Sequence, residues 1–222
     1  MKTVIQYHRN LVSIPSGSLF LRGTLQIPTN AKGAVVFVPA SGCCHDSPLY
    51  HYIAQVLQQA GLASLLVNFL TPEEEDTDRR TRYCLRHSTA LLSERLLVAT
   101  DWLKQFWSAP IKVGYFASSA GACAALAAAA KRPDAVAALV SCSGYLDLVG
   151  PVLANVQAPT LLIVGEQDFL GVGMNQDAIA LLQTEKHLEI VREATHSFTE
   201  LGVAQRAAQL ARDWFISHLQ SA

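Results

Sequence analysis

Short apolar runs alternate with helix-period stretches along nearly the whole chain, and that alternation admits few folds. Residues 34–38 form an unbroken apolar run, as a strand buried on both faces requires. Residues 62–69, 111–116, 135–141, 160–164 and 187–191 read as further strands. Between the first two, Ser47 caps a helix and Pro48 takes its first turn. Ile53, Val56, Leu57 and Ala60 make its apolar stripe, and Gly61 stops it. A long helical stretch is predicted from about residue 81 to 106, with Leu92, Leu96, Ala99 and Leu103 on one face. Alanine-rich residues 122–131, residues 174–183 and a C-terminal stripe of Ala204, Ala208, Ala211, Phe215 and Leu219 complete the helices. Strand–helix alternation predicts an α/β fold, a mostly parallel sheet with helices on both faces. Residues 19–27 alternate apolar and polar side chains, which predicts an antiparallel N-terminal edge.

No linker, composition break or repeat interrupts the 222 residues, so a single domain over 1–222 is expected. The formal net charge is −1 and there is no long basic run, which argues against nucleic acid or an acidic membrane as the partner. The acidic run 73–78 reads as a solvated helix start, with Thr71 as cap and Pro72 in the first turn. The five cysteines lack a CxxC pair and resemble neither a disulfide framework nor a zinc site. Cys123 and Cys142 fall in apolar segments, while the adjacent Cys43-Cys44 leaves a redox role open. The first ten residues lack an apolar signal core, and the apolar run 124–130 is too short for a membrane span, so a cytoplasmic protein is expected. Oligomeric state is not set by the sequence.

Chemistry enters at Ala117-Ser118-Ser119-Ala120-Gly121, where a strand runs into the alanine-rich helix. A serine at such a turn has its backbone strained and its hydroxyl raised above the sheet. The turn accepts only small residues two positions either side. Ser119 has Ala117 and Gly121 there, whereas Ser118 would have Phe116, so Ser119 is the candidate nucleophile. The alternative is an ordinary serine helix cap.

Ligands of an open parallel sheet bind at the carboxyl ends of its strands. Three further segments share that rim: Gly165-Glu166-Gln167-Asp168, Ala194-Thr195-His196 and Pro39-Ala40-Ser41-Gly42-Cys43. The chain order Ser119, Asp168, His196 suits a nucleophile, an orienting acid and a general base. The backbone N–H groups of Ser41 and Ala120 are the expected oxyanion donors. Asp168 also has the simpler reading of a turn former, Glu166 and Asp147 are rival acids, and His45 lies near enough the rim to touch substrate.

With these residues the chain resembles the α/β-hydrolase superfamily and, within it, the dienelactone-hydrolase-like proteins. The likeness runs through Ser41-Gly42 with Asp46-Ser47-Pro48, Ala60-Gly61-Leu62-Ala63, Leu70-Thr71-Pro72-Glu73-Glu74-Glu75 and Ala99-Thr100-Asp101-Trp102-Leu103. It continues through the elbow, Leu162-Ile163-Val164-Gly165 with Asp168, and Ala194-Thr195-His196. The chain departs from the pattern at Pro39-Ala40, where His-Gly is usual, and at Ala117, where the first elbow glycine is usual. The resemblance implies a Ser-His-Asp hydrolase needing no metal or organic cofactor. Some relatives use cysteine as nucleophile; position 119 is serine. The short interval between Ser143 and the strand at 160 leaves no room for a lid domain, so an open pocket and a small soluble ester or lactone substrate are expected. Cys43, His45, Tyr145, Leu146 and Phe169 are candidate pocket residues, the last three equally readable as core. The competing reading is a non-catalytic binding protein that keeps the hydrolase fold.

Overall fold

Eight strands form one sheet in the order β1-β2-β4-β3-β5-β6-β7-β8. The computed structural model describes residues 7–39, 47–82, 84–200 and 202–220. Strands β1 (Tyr7–Ser16) and β2 (Leu19–Pro28) pair antiparallel, and β2 pairs antiparallel with β4 (Leu62–Val67). From β4 onward every pairing is parallel, through β3 (Gly33–Val38), β5 (Val113–Ser118), β6 (Ala138–Cys142), β7 (Thr160–Gly165) and β8 (Lys186–Val191). The expected parallel sheet with an antiparallel N-terminal edge is thus the observed one.

The period-two side-chain alternation of the strands divides the core in two. Ala34, Val36 and Val38 of β3 pack with α3 (Thr89–Lys104) and α4 (Ala120–Lys131). Val35 and Phe37 face the opposite way, against α1 (Pro48–Gln59) and α7 (Val203–Leu219). Both faces of β3 and β4 are therefore buried, which is why β3 reads as a continuous apolar run and the one polar residue of β4, Ser64, needs the Gln58 side-chain amide as a partner at 2.7 Å.

The long helix expected over 81–106 begins eight residues late, at Thr89. The helix start expected at Thr71 and Pro72 is observed as a separate helix, α2 (Pro72–Arg80), with a reciprocal capping box between Thr71 and Glu74. It ends because Asp78 gathers the chain that follows. The Leu85 and Arg86 amides donate to Asp78 Oδ1 at 2.7 and 3.2 Å, and the Arg86 guanidinium pairs with Oδ2. Helix α3 then begins at Thr89 with Ser88 as its cap.

Between β6 and β7 lie only a 3-10 turn, Leu146–Val149, and a single helical turn, α5 (Gly150–Leu153). The structure carries no lid domain in that interval. Helix α6 (Phe169–Leu181) starts five residues earlier than residue 174, because Asp168 caps it through the Gly171 amide. No helix among the described residues is long and apolar enough to cross a membrane.

Candidate active site

The turn from β5 into α4 holds Ser119 at φ 46° and ψ −124°, a backbone region that costs a non-glycine residue about 1–3 kcal/mol. The reason for a glycine two residues on is steric. A Cβ on Gly121 would sit 2.5 Å from the Val38 carbonyl oxygen and 2.7 Å from that of Pro39. Ala117 is wholly buried between its β3 and β6 partners, Val38 and Ser141.

The loops after β7 and β8 are laced together. The Glu166 amide donates to the Val191 carbonyl, and the Gln167 amide to that of Ala194, both at 2.9 Å. Gly165 makes this approach possible, since a Cβ there would strike the Ala194 and Thr195 carbonyls. Lacing the loops sets His196 beside Asp168 and over Ser119. Ser119 Oγ lies 2.9 Å from His196 Nε2, and His196 Nδ1 lies 2.7 Å from Asp168 Oδ2. An ionised carboxylate only accepts hydrogen bonds, so Nδ1 carries the proton and Nε2 meets the hydroxyl as an acceptor. Asp168 Oδ1 accepts the Gly171 amide at 3.0 Å, so both carboxylate oxygens are engaged. The Asp168 side chain is 9% exposed and that of His196 32%, which shields the pair while leaving the imidazole within reach of a ligand.

Glu166 does not compete for the imidazole. Its Oε2 accepts the Glu193 amide at 3.1 Å, on the exposed side of the loop. The Asp147 side chain, together with Ser41, Cys43 and His45, lies outside the described residues. Ala120 is the first residue of α4, where an amide has no intrahelical acceptor and the helix dipole is positive.

A cavity of about 560 Å³ opens beside Ser119 and His196. Its walls include Ser47, Pro48, Leu49, Tyr50 and Tyr52 at the start of α1, the segment from His196 to Thr199, and Ser118 and Cys142. Of the expected pocket residues that the structure describes, Tyr145, Leu146 and Phe169, none lines this cavity. Tyr145 stacks on the His196 ring, with centroids 4.8 Å apart and planes 10° apart. Leu146 turns inward at the start of its 3-10 turn and packs in the core with α4. Phe169, the first residue of α6, points outward and is 83% exposed.

Among the wall residues that escaped the sequence reading are Tyr50 and Phe198. The Tyr50 hydroxyl bonds Ser118 Oγ and lies 3.5 Å from the Val38 carbonyl. Tyr50 occupies the buried stripe of α1, and a buried tyrosine hydroxyl needs a partner; that was the available signal. Phe198 is buried with φ 53°, a conformation nothing in the sequence announces. Among the described residues, no group of three or more His, Cys, Asp or Glu is arranged to hold a metal ion.

The sequence profile of the dienelactone hydrolase family matches residues 21–220. The crystal structure of a dienelactone hydrolase from Anabaena variabilis superposes with a TM-score of 0.92 at 47% identity, covering 97% of this chain and 100% of that one. A carboxyl esterase 2 from the mycorrhizal fungus Tuber melanosporum shares the fold at 16% identity and a TM-score of 0.75, over 98% of this chain and 90% of its own. A Mycobacterium tuberculosis (strain H37Rv) protein named "Putative phosphoribosyl transferase" is 43% identical over 209 residues, 94% of this chain. The alignment takes in 46% of that protein, so this chain spans about half the length of the curated relative.

Proposed function

The chain belongs to the dienelactone hydrolase family of hydrolases, and we propose that it cleaves small carboxylic esters or lactones through an acyl-enzyme on Ser119. The observation that supports this reading is the continuous line Ser119 Oγ–His196 Nε2, His196 Nδ1–Asp168 Oδ2, at 2.9 and 2.7 Å. As the Ser119 oxygen bonds to the substrate carbonyl carbon, its proton passes to His196 Nε2. Asp168 holds the ring orientation and stabilises the imidazolium. The carbonyl oxygen becomes an oxyanion that accepts from the Ala120 N–H, with Ser41 N–H as the proposed second donor; one such donor contributes about 3 kcal/mol in the transition state. When the tetrahedral intermediate collapses, its carbon–oxygen bond to the alcohol breaks and His196 returns the proton to the leaving oxygen. Water, deprotonated by the same imidazole, then attacks the acyl-enzyme. Its hydroxyl goes to the acid product and its proton to Ser119.

The phosphoribosyl transferase name belongs to proteins of about twice this length, and such an activity can reside in the half this chain does not match. Fluorophosphonate labelling with peptide mapping tests the ester reading. Label is expected on Ser119, with an acyl burst from p-nitrophenyl acetate. Ser119→Ala should lose both, with kcat down about 10⁶-fold if the three groups act as a unit. Undiminished turnover by that variant would rule the mechanism out.

A further inference from the structure

We infer that the cavity beside Ser119 takes an uncharged, apolar part of the substrate and selects against esters that place a carboxylate there. The inference rests on the ester-hydrolase reading and adds the substrate class. Pro48, Leu49, Tyr52, Phe198 and Ala204 give the cavity an apolar lining, in a volume of about 560 Å³ that suits an aryl ring or an alkyl chain. Among the described residues its polar groups beyond the catalytic pair are neutral: the hydroxyls of Ser47, Ser118, Ser197 and Thr199 and the Tyr50–Ser118 hydrogen bond. No lysine or arginine lines it among the described residues.

The helix N-terminus in the wall does not replace the missing cation. Pro48 has no N–H, the Tyr50 amide is capped by Ser47 Oγ at 3.4 Å, and the His51 amide bonds the Ser47 carbonyl at 3.2 Å. Only the Leu49 amide of that first turn is left to an anion. A carboxylate entering would shed water and find neutral hydroxyls in exchange, a poor substitute for an ion pair.

The test compares esters matched in size and differing in charge, each rate normalised to its hydroxide-catalysed hydrolysis. On the acyl side the pair is p-nitrophenyl hexanoate and mono-p-nitrophenyl adipate. On the alcohol side it is phenyl acetate and 4-acetoxybenzoate. In the pair whose varied group occupies the cavity, kcat/KM should favour the neutral ester by about 100-fold or more. Thr199 lies exposed on the cavity wall, so Thr199→Arg introduces a cation with little risk to folding; it should narrow that preference at least tenfold, while Thr199→Gln should not. Equal kcat/KM within both pairs, or preference for the carboxylate, overturns the inference while leaving the ester-hydrolase reading standing. Absence of turnover for all four esters, with no fluorophosphonate label on Ser119, overturns both.

Discussion

The Tyr145 ring lies flat over the His196 imidazole, 4.8 Å between centroids and 10° between planes. Tyr145 is itself held from two sides. Its amide reaches the Ser119 carbonyl at 3.4 Å, and the Cys123 thiol donates to its carbonyl at 2.7 Å. A ring so fixed limits imidazole rotation and would present a π-face to the imidazolium that the proposed attack by Ser119 forms. Tyr145→Ala should lower kcat by about tenfold, the upper range for one aromatic contact, with KM changed far less. Tyr145→Phe keeps the ring and should stay within about twofold. A Phe variant as impaired as the Ala variant would mean that the hydroxyl, not the stacking, matters.

Asp168 serves two structures with two oxygens, Oδ2 toward His196 and Oδ1 toward the Gly171 amide that starts α6. Substitution separates them. Asn caps a helix about as well as Asp, so Asp168→Asn should leave the melting temperature nearly unchanged and lower kcat by about 10⁴-fold through the wrong imidazole tautomer. Asp168→Ala loses the cap as well, about 1 kcal/mol, and should melt about 2–4 °C lower. Equal kcat for Asp168→Asn and the parent would remove Asp168 from the mechanism.

The same double duty explains what was legible in the sequence. Strands buried on both faces announced themselves, because few polar residues survive there, and the candidate rim residues Ser119, Asp168 and His196 followed from the strand ends. The late start of α3, at Thr89 rather than near residue 81, did not. Its cause is one buried carboxylate, Asp78, that bonds residues seven and eight positions on, and apolar periodicity is blind to such a contact. The start of α6 was missed because its cap was already assigned to chemistry. Among the described candidates the cavity was sought at Tyr145 and Leu146 after β6 and at Phe169 after β7, yet its described walls come from α1 and the segment at Phe198, whose placement depends on a left-handed backbone no residue type advertises.

Cys142 touches the cavity yet is 1% exposed, and burial pushes its thiol up to about 12. The thiolate is the reactive form, so proximity to Ser119 does not make this a nucleophile. Cys123 is equally buried, whereas Cys84 is exposed. Brief iodoacetamide treatment of the native protein at pH 8, followed by peptide mapping, should modify Cys84 and spare Cys123 and Cys142. Rapid alkylation of Cys142 would instead point to thiol chemistry in the cavity.

Acid should loosen the α2–α3 junction through Asp78. Burial by itself would raise this carboxyl, but the Arg86 guanidinium and the Arg86 and Leu85 amides outweigh it and hold the group below its ordinary 3.8. A folded value below the unfolded one means that the contribution to stability is complete above pH 3.8 and fades as pH falls below it. Asp78→Asn keeps an oxygen for the amides and removes the charge facing Arg86, whose side chain is 20% exposed and so keeps some solvation. The expected cost at pH 7 is about 2 kcal/mol, or a melting temperature about 4–8 °C lower. The gap between the two proteins should narrow as pH falls below 3.8 and close once pH passes the lower folded value, where protonated Asp78 has also lost its charge. Melting curves from pH 7 down to 3 read this directly. A constant gap across that range would show that Asp78 acts through its shape and hydrogen bonds alone, without its ionisation.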